Sequence, residues 1–443
     1  MINAIAIVGG GISGTLTVLN CIKQSKKPIS IIWFDQHNKF CKGFAYSTTE
    51  DVHLLNVRAN NMSVFYDEPN HFTQWLSKHY PLFNASDFVS RKIFGDYVND
   101  VFENLKNTNP LISIIQVAEE VISIEKLIDS FQLKTTLTYQ VQKLVLAFGN
   151  FLPAHPKSVS TDFILSENYF QNAFHPNLIK QSLSKNNITI IGSGLTMIDV
   201  VNSLYHHNYK GHIDIISPHA YIPQAHIEHT LPAVVPYIEE NKIYNLLEIL
   251  SVVNQQLKKA KKQGLNPHSV IDIMRPHLQN IWINFSFEEK KQFLRHLRHK
   301  WGVARHRAPM QSMAVFEELI SRKKINLIKG RVFEIKSSEI DFDIFYSNLE
   351  NSTQTFKTDF LINCTGPESD YTKIKTPLIQ NLLKNQIITP DFIKYGIIGQ
   401  KDGQISQNVY ALGPPLKGIL WESTAVPEIR LQAYKLAVKF ICK

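Results

Sequence analysis

The sequence predicts an α/β chain made of two similar doubly wound units, the second carrying a helical insert. Two observations lead there. A strand pattern that runs into spaced glycines and then a helix pattern occurs at Gly9, Gly11 and Gly14, and again at Gly192 and Gly194. Each copy is closed, after a run of short β-type pieces, by an apolar strand ending in glycine, at Gly149 and at Gly366. A whole order of elements repeated in one chain is much harder to reach by accident than either glycine turn alone. The fold class is therefore α/β with two Rossmann-like dinucleotide-binding domains.

The first unit opens on an apolar strand over residues 5–8, with Gly9 for the tight turn and Gly11 for close approach of a pyrophosphate. Gly14 lets helix and strand pack, so that Ile12 and Ser13 lie at a helix N-terminus able to hold phosphate. A second strand, residues 29–34, ends in Asp35, about 20 residues beyond the glycines, where an acid holds a ribose hydroxyl. A loop with Gly43 follows, then residues 53–63, where amides such as Asn56 either face a heterocycle or serve ordinary turns. Pro69 marks a helix start, with Phe72, Trp75 and Leu76 as its core face. Residues 112–117, 121–124 and 131–137 read together as an antiparallel meander feeding the strand that ends at Gly149. Pro153 and Pro156 punctuate a linker.

In the second unit, strand 187–191 meets Gly192 and Gly194, with Leu195 and Thr196 opening the helix and Met197 at the third glycine position. Strand 212–217 follows, and residues 325–328, 331–335 and 342–346 read as a second meander before the strand that ends at Gly366. Between them lies an insert, about 231–301, with three helical segments. The last of these opens on Ser286 and Glu289 at capping-box spacing. The lysines of 258–262 read as a solvated helix end. Arg305, His306 and Arg307 either grip a phosphate or carboxylate or form an exposed basic turn. His226 is a weaker candidate on the substrate side. The chain closes with a strand to Gly413 and a helix with Pro427 at its first position.

With 443 residues there is room for two or three domains, and 44% hydrophobic content fills their cores. No apolar run approaches the roughly 18 residues of a membrane span, and the N-terminus enters a strand at once, unlike a signal peptide. Four dispersed cysteines, Cys21, Cys41, Cys364 and Cys442, argue against a disulfide framework, a metal site or a dithiol centre, with Cys41 read as a small buried hydrophobe. The net charge of +9 is dispersed lysine without a nucleic-acid module, so no nucleic-acid partner is expected. A cytoplasmic protein with no membrane partner is expected.

As a set, the motifs at residues 8–14, 45–48, 55–57, 62–63, 191–199, 305–307, 363–367, 412–414 and 425–430 resemble the two-dinucleotide-binding flavoproteins. Within that group they are similar to the bacterial FAD/NAD(P)-binding proteins related to flavin monooxygenases. The resemblance covers nearly the whole chain. It implies an FAD-binding domain over 1–180 and 368–443 and an NAD(P)-binding domain over 181–367. FAD would sit on Gly9, Gly11, Ile12, Ser13, Gly14, Asp35 and Gly43, with Asn56 and Ser63 near its ring system. Gly149, Gly413, Pro427, Glu428 and Ile429 would close that site. NADPH, or NADH, would sit on Gly192, Gly194, Leu195, Thr196 and Gly366. Two positions depart from the pattern: Pro414 stands for an acid after the C-terminal glycine, and Ser217-Pro218-His219 lacks the arginine of an NADP site.

The expected function is an FAD- and NAD(P)H-dependent monooxygenase acting with molecular oxygen, through a flavin C4a-hydroperoxide, on a small-molecule substrate. Asn56, Arg305, His306 and Arg307 are its candidate site residues. The alternatives are a flavin reductase or dehydrogenase without oxygenation, and a non-enzymatic flavin-binding redox sensor.

Overall fold

The computed structural model describes residues 3–227, 231–337 and 341–442. Strand Asn3–Val8 is apolar almost throughout because it is interior to a sheet, with Ile5, Ala6 and Ile7 fully buried. It pairs in parallel with Ile29–Phe34 on one side and Lys143–Leu146 on the other. The whole sheet runs Gln404–Ser406, Val409–Ala411, Lys143–Leu146, Asn3–Val8, Ile29–Phe34, Ile112–Val117. A second sheet runs Ile325–Lys329, His212–Ser217, Asn187–Ile191, Phe360–Asn363, Tyr169–Phe170, parallel throughout. Around each glycine-turn strand the neighbours therefore come in the same order, so the duplication in sequence is a duplication in space.

One sequence expectation is corrected in both units. Ile112–Val117 and Ile325–Lys329 are not the first strands of meanders; they are parallel edge strands of the two main sheets. A short β-type run announces a strand but not its partner. Here the helices Arg91–Leu105 and Met310–Ser321 return the chain to the same end of the sheet, as a parallel pairing requires. The meanders proper are Ser123–Lys126, Phe131–Lys134, Thr138–Val141 and Arg331–Ser337, Phe342–Ser347, Thr353–Thr358.

The last part of the chain returns to the first sheet. Strand Val409–Ala411 pairs with Lys143–Leu146, and helix Val426–Cys442 shares a core with helix Ile12–Gln24 through Ile429, Ala433, Leu436 and Leu16. In place of three helical segments, the insert region holds the helices Leu246–Gln263, Pro267–Met274, Leu278–Asn284, Phe287–Gln292 and Arg298–Arg305. The expected capping box is formed: Ser286 Oγ accepts from Glu289 N at 3.2 Å and Glu289 Oε2 accepts from Ser286 N at 2.8 Å. Lys261 and Lys262 end the Leu246–Gln263 helix before Gly264, whose φ of +65° closes it. Ser286→Ala should lower stability by about 1 kcal/mol. Denaturant unfolding checks this, and an unchanged midpoint would show the cap to be idle.

Candidate functional site

The first glycine turn stands where strand order reverses, between Asn3–Val8 and Lys143–Leu146, the position at which open α/β sheets leave a crevice. Its glycines serve different ends. A Cβ on Gly9, at φ +124°, would lie 2.1 Å from Ala147 O, and one on Gly14 would lie 2.0 Å from Gly9 O. Both are demanded by packing. A Cβ on Gly11 would meet only Gly43 Cα, at 3.7 Å, while Gly43, at φ +53°, brings its own backbone against Gly11. Gly11 is also the N-cap of helix Ile12–Gln24, with no side-chain capping bond and no acid in the first turn. The helices that follow Ser90, Asn245 and Ser286 are capped by those side chains. The uncapped amides at Ile12, Ser13 and Gly14 fit an anion such as a pyrophosphate. Gly149, at φ +73°, has open space where its Cβ would be.

Asp35 lies where expected, at the end of Ile29–Phe34, and is tied to the turn. Its Oδ2 accepts from Gly10 N at 3.0 Å, and its Oδ1 accepts from His37 N and Lys39 N at 3.0 and 2.9 Å. The C-terminal segment reaches the same place. Gly413, at φ +75°, would carry a Cβ 2.6 Å from Ser13 Oγ and 3.6 Å from Ile429 Cδ1. Pro427 is the second residue of its helix rather than the first, a position that also leaves its missing N–H without consequence.

The second turn repeats the first. Gly192, at φ +105°, would place a Cβ 2.4 Å from Cys364 O, as Gly9 does toward Ala147 O. Gly192 N donates to Ile216 O at 2.8 Å, as Gly9 N does to Phe34 O at 3.0 Å. Gly194 is the uncapped N-cap of helix Leu195–His206, which begins with Leu195 and Thr196, and it has nothing within 4 Å of its Cβ position. Gly366, at φ +90°, is equally open and stands two residues after Cys364, as Gly149 does after Ala147.

Three groups of expected site residues have their side chains engaged by the protein itself. Ser63 is fully buried, its hydroxyl bonded to Glu68 O at 2.6 Å and accepting from Phe65 N at 3.1 Å, so its side chain shapes the loop and presents nothing to a ring system. Glu428 turns away to Arg275 of the insert in a two-point pair, at 2.6 and 2.9 Å. The side chains of Arg305 and Arg307 are largely buried, and the anions facing Arg305, His306 and Arg307 are carboxylates of the chain itself. Arg305 Nε and His306 Nε2 stand 3.6 and 3.4 Å from Glu422 Oε2, and Arg307 pairs with Asp272. The cluster does hold carboxylates, but they are the protein's own. Glu422 was missed because a lone acid in the sequence carries no sign of partners more than a hundred residues away.

Asn56 stands at the junction of the two units. Its carbonyl accepts from His226 Nε2 at 3.1 Å, which leaves the lone pair on Nδ1. Burial, reinforced by the positive field of Arg307, lowers the His226 pKa to about 4, so the ring is neutral at pH 7. His53 bridges the units as well, with Thr48 Oγ1 at 2.7 Å and Ser203 Oγ at 2.9 Å. Beside it Arg91 of the first unit meets Asp199 of the second at 2.7 Å. A cleft of about 660 Å³ opens here, with Lys39, Phe44, Tyr169 and Phe174 in its walls.

Against known proteins, residues 6–151 match the family model described as FAD-NAD(P)-binding. A comparison with curated proteins finds no match. Among solved structures, the chain is similar to the ornithine N-hydroxylase of Kutzneria sp. 744 at a TM-score of 0.68 and 13% identity, covering 100% of this chain and 99% of that one. It is similar to the cadaverine monooxygenase DfoA of Erwinia amylovora at 0.70 and 13%, covering 100% and 95%. A thioredoxin reductase from T. acidophilum superposes at 0.54 and 12%, covering 99% and 97%. At such identities the likeness is one of fold. No helix among the described residues is long and apolar enough to cross a membrane. Residues 6–151 match the FAD-NAD(P)-binding family model, and the whole chain shares the fold of the solved structures it resembles.

Proposed function

We propose that the protein is an FAD- and NADPH-dependent monooxygenase acting with molecular oxygen on a small molecule, in the cytoplasm. The carrying observation is the pair of uncapped, glycine-opened helix starts in equivalent places of two equivalent sheets, Gly11 and Gly194. Solved structures that resemble it at TM-scores of 0.67 to 0.70 include two ornithine hydroxylases and a cadaverine monooxygenase, which supports oxygenation over plain reduction. The thiols point the same way. Cys21, Cys41 and Cys364 are buried, and burial pushes all three thiol pKa values up, to about 12 for the first two, so none is poised for thiol exchange.

When bound, FAD would supply the hydride-accepting and oxygen-activating chemistry. The chain's part is to bind, orient and keep the site dry. The amides of Ile12, Ser13 and Gly14 would hold the FAD pyrophosphate, with Gly43 and Gly413 closing on it. Those of Leu195 and Thr196 would hold the nicotinamide nucleotide. Asn56, on the loop that His226 ties to the second unit, would help orient the reacting rings.

Preference for NADPH is supported by what replaces an acid in the second unit. After strand His212–Ser217, the counterpart of Asp35 is a region around His219, whose ring stacks on Tyr221 at 5.2 Å and lies 4.9 Å from His299. Arg298 Nη2 lies 3.1 Å from His299 Nε2. Partial burial and then the fields of Arg298, His219 and Arg331 lower the His299 pKa to about 4. This basic cluster suits a ribose 2′-phosphate.

Denaturing the purified protein should release FAD, and anaerobic titration should bleach the flavin with NADPH in preference to NADH. Arg331→Ala should weaken NADPH by roughly tenfold and leave NADH unchanged. Absence of FAD, or no bleaching by either nucleotide, overturns the proposal. Aeration without a distinct spectral intermediate and without oxygenated product favours a reductase.

A further inference from the structure

The insert belongs by sequence to the second unit, yet its contacts fasten it to the C-terminal segment of the first. Trp282 stacks on Trp421 with ring centroids 4.6 Å apart, and its Nε1 donates to Gly418 O at 2.8 Å. Arg275 holds Glu428 through two bonds. The centre of this junction is Glu422. Its side chain is 6% exposed, and its Oε1 accepts from Trp301 Nε1 at 2.9 Å, while Arg305 and His306 face Oε2. Its backbone sits at φ +68°, a left-handed conformation that a glutamate holds only where its surroundings over-determine it.

The next residue carries the connection inward. Ser423 is fully buried, and its Oγ donates to Gly413 O at 2.9 Å. Gly413 N donates to Gln432 Oε1 at 2.8 Å, and Gly413 lies against Ser13 of the first glycine turn. A continuous path of bonded and packed groups thus runs from the Arg298–Arg305 helix through Glu422, Ser423 and Gly413 to Ser13. Displacing the insert would pull on Glu422, and Ser423 could not keep its bond if that turn relaxed toward ordinary φ.

We propose that Glu422 is a positioning residue that couples docking of the insert to retention of FAD at the first glycine turn, making the insert a clamp on the flavin side. The proposal rests on the assignment of FAD to that turn. Coupling of this kind is reciprocal: if the docked insert tightens FAD, FAD must stabilise the docked insert.

The experiment uses the full chain, FAD as the probe, and two readouts: FAD affinity by flavin fluorescence, and hydrogen exchange of residues 246–305 with and without FAD. In the wild type, FAD should slow exchange in those helices. Glu422→Gln, which keeps the volume and an acceptor for Trp301 but removes the charge facing Arg305 and His306, should weaken FAD by roughly tenfold. It should also make insert exchange indifferent to FAD. Trp301→Phe, which removes a single donor, should move both readouts the same way by a smaller factor, and it carries the test if Glu422→Gln does not fold. Lys258→Ala, on the solvated helix end, should move neither. Wild-type FAD affinity in the folded variants, or insert exchange in the wild type that ignores FAD, overturns the proposal while leaving the cofactor assignment intact. A wild type that binds no FAD fails in the first titration and overturns the assignment itself.

Discussion

Gly11→Ala is expected to fold normally and lose FAD, whereas Gly9→Ala is expected to lose the fold. The two positions stand two residues apart but differ in what a methyl group meets. At Gly9 it would lie 2.1 Å from a main-chain oxygen, on a residue at φ +124° where L side chains are strained. Neither the strand end at Ala147 nor the turn can move without breaking the sheet, so the destabilisation should exceed about 3 kcal/mol. At Gly11 the nearest atom is 3.7 Å away, and the backbone is extended at φ −74°, so the cost should be about 1 kcal/mol or less. That methyl group nevertheless fills the face on which a pyrophosphate would rest. Gly194→Ala is the matching change in the second unit, where nothing lies within 4 Å, and it should weaken NADPH without touching FAD. Thermal unfolding together with flavin and nucleotide titrations checks all three. Full FAD affinity in Gly11→Ala would remove the glycine turn from the cofactor site.

Arg91→Ala should destabilise the chain by about 3 kcal/mol at pH 8 and by clearly less at pH 5. The ion pair with Asp199 joins helix Arg91–Leu105 to helix Leu195–His206 and so holds the two units together. Burial raises the Asp199 carboxyl to about 6, even with the guanidinium beside it lowering it. A carboxyl raised in this way keeps its proton in the folded chain after the unfolded chain has released its own. Its contribution is therefore complete below about pH 4, declines as pH rises toward 6, and is gone above that. Removing Arg91 takes away the attraction that favours the ionised form, so the folded-state pKa moves higher still and the decline continues to higher pH. Made in an Asp199→Asn background and compared with Asp199→Asn alone, Arg91→Ala should cost the same at both pH values. Urea unfolding at the two pH values tests this, and an equal deficit at both with Asp199 in place would refute it.

How much was legible follows from how local each signal is. Gly9 and Gly192 could be recognised because a left-handed turn between a strand and a helix is a requirement of one residue and its neighbours. Ser286 and Glu289 announced a helix start because both halves of that cap lie within four residues. The duplicated order of elements was readable because each unit repeats the same run of local patterns. The pairing of Ile112–Val117 was not readable, since a strand's alternation leaves open whether its partner is parallel or antiparallel, and the intervening helices decide it.

Side-chain partnership was the least accessible. Arg305, His306 and Arg307 were visible as a basic cluster, but which anion they hold depends on what the fold brings to them, and it brings Glu422 and Asp272. Ser63 and Glu428 were placed near FAD by motif position, yet one is sealed inside its loop and the other is drawn to Arg275. A buried charge or hydroxyl must find a partner wherever the packed chain supplies one. The sequence by itself determined two nucleotide-type units and the backbone turns that open them. Only the tertiary structure decided how insert, C-terminal segment and glycine turn are joined, because those contacts are made between residues far apart in the chain.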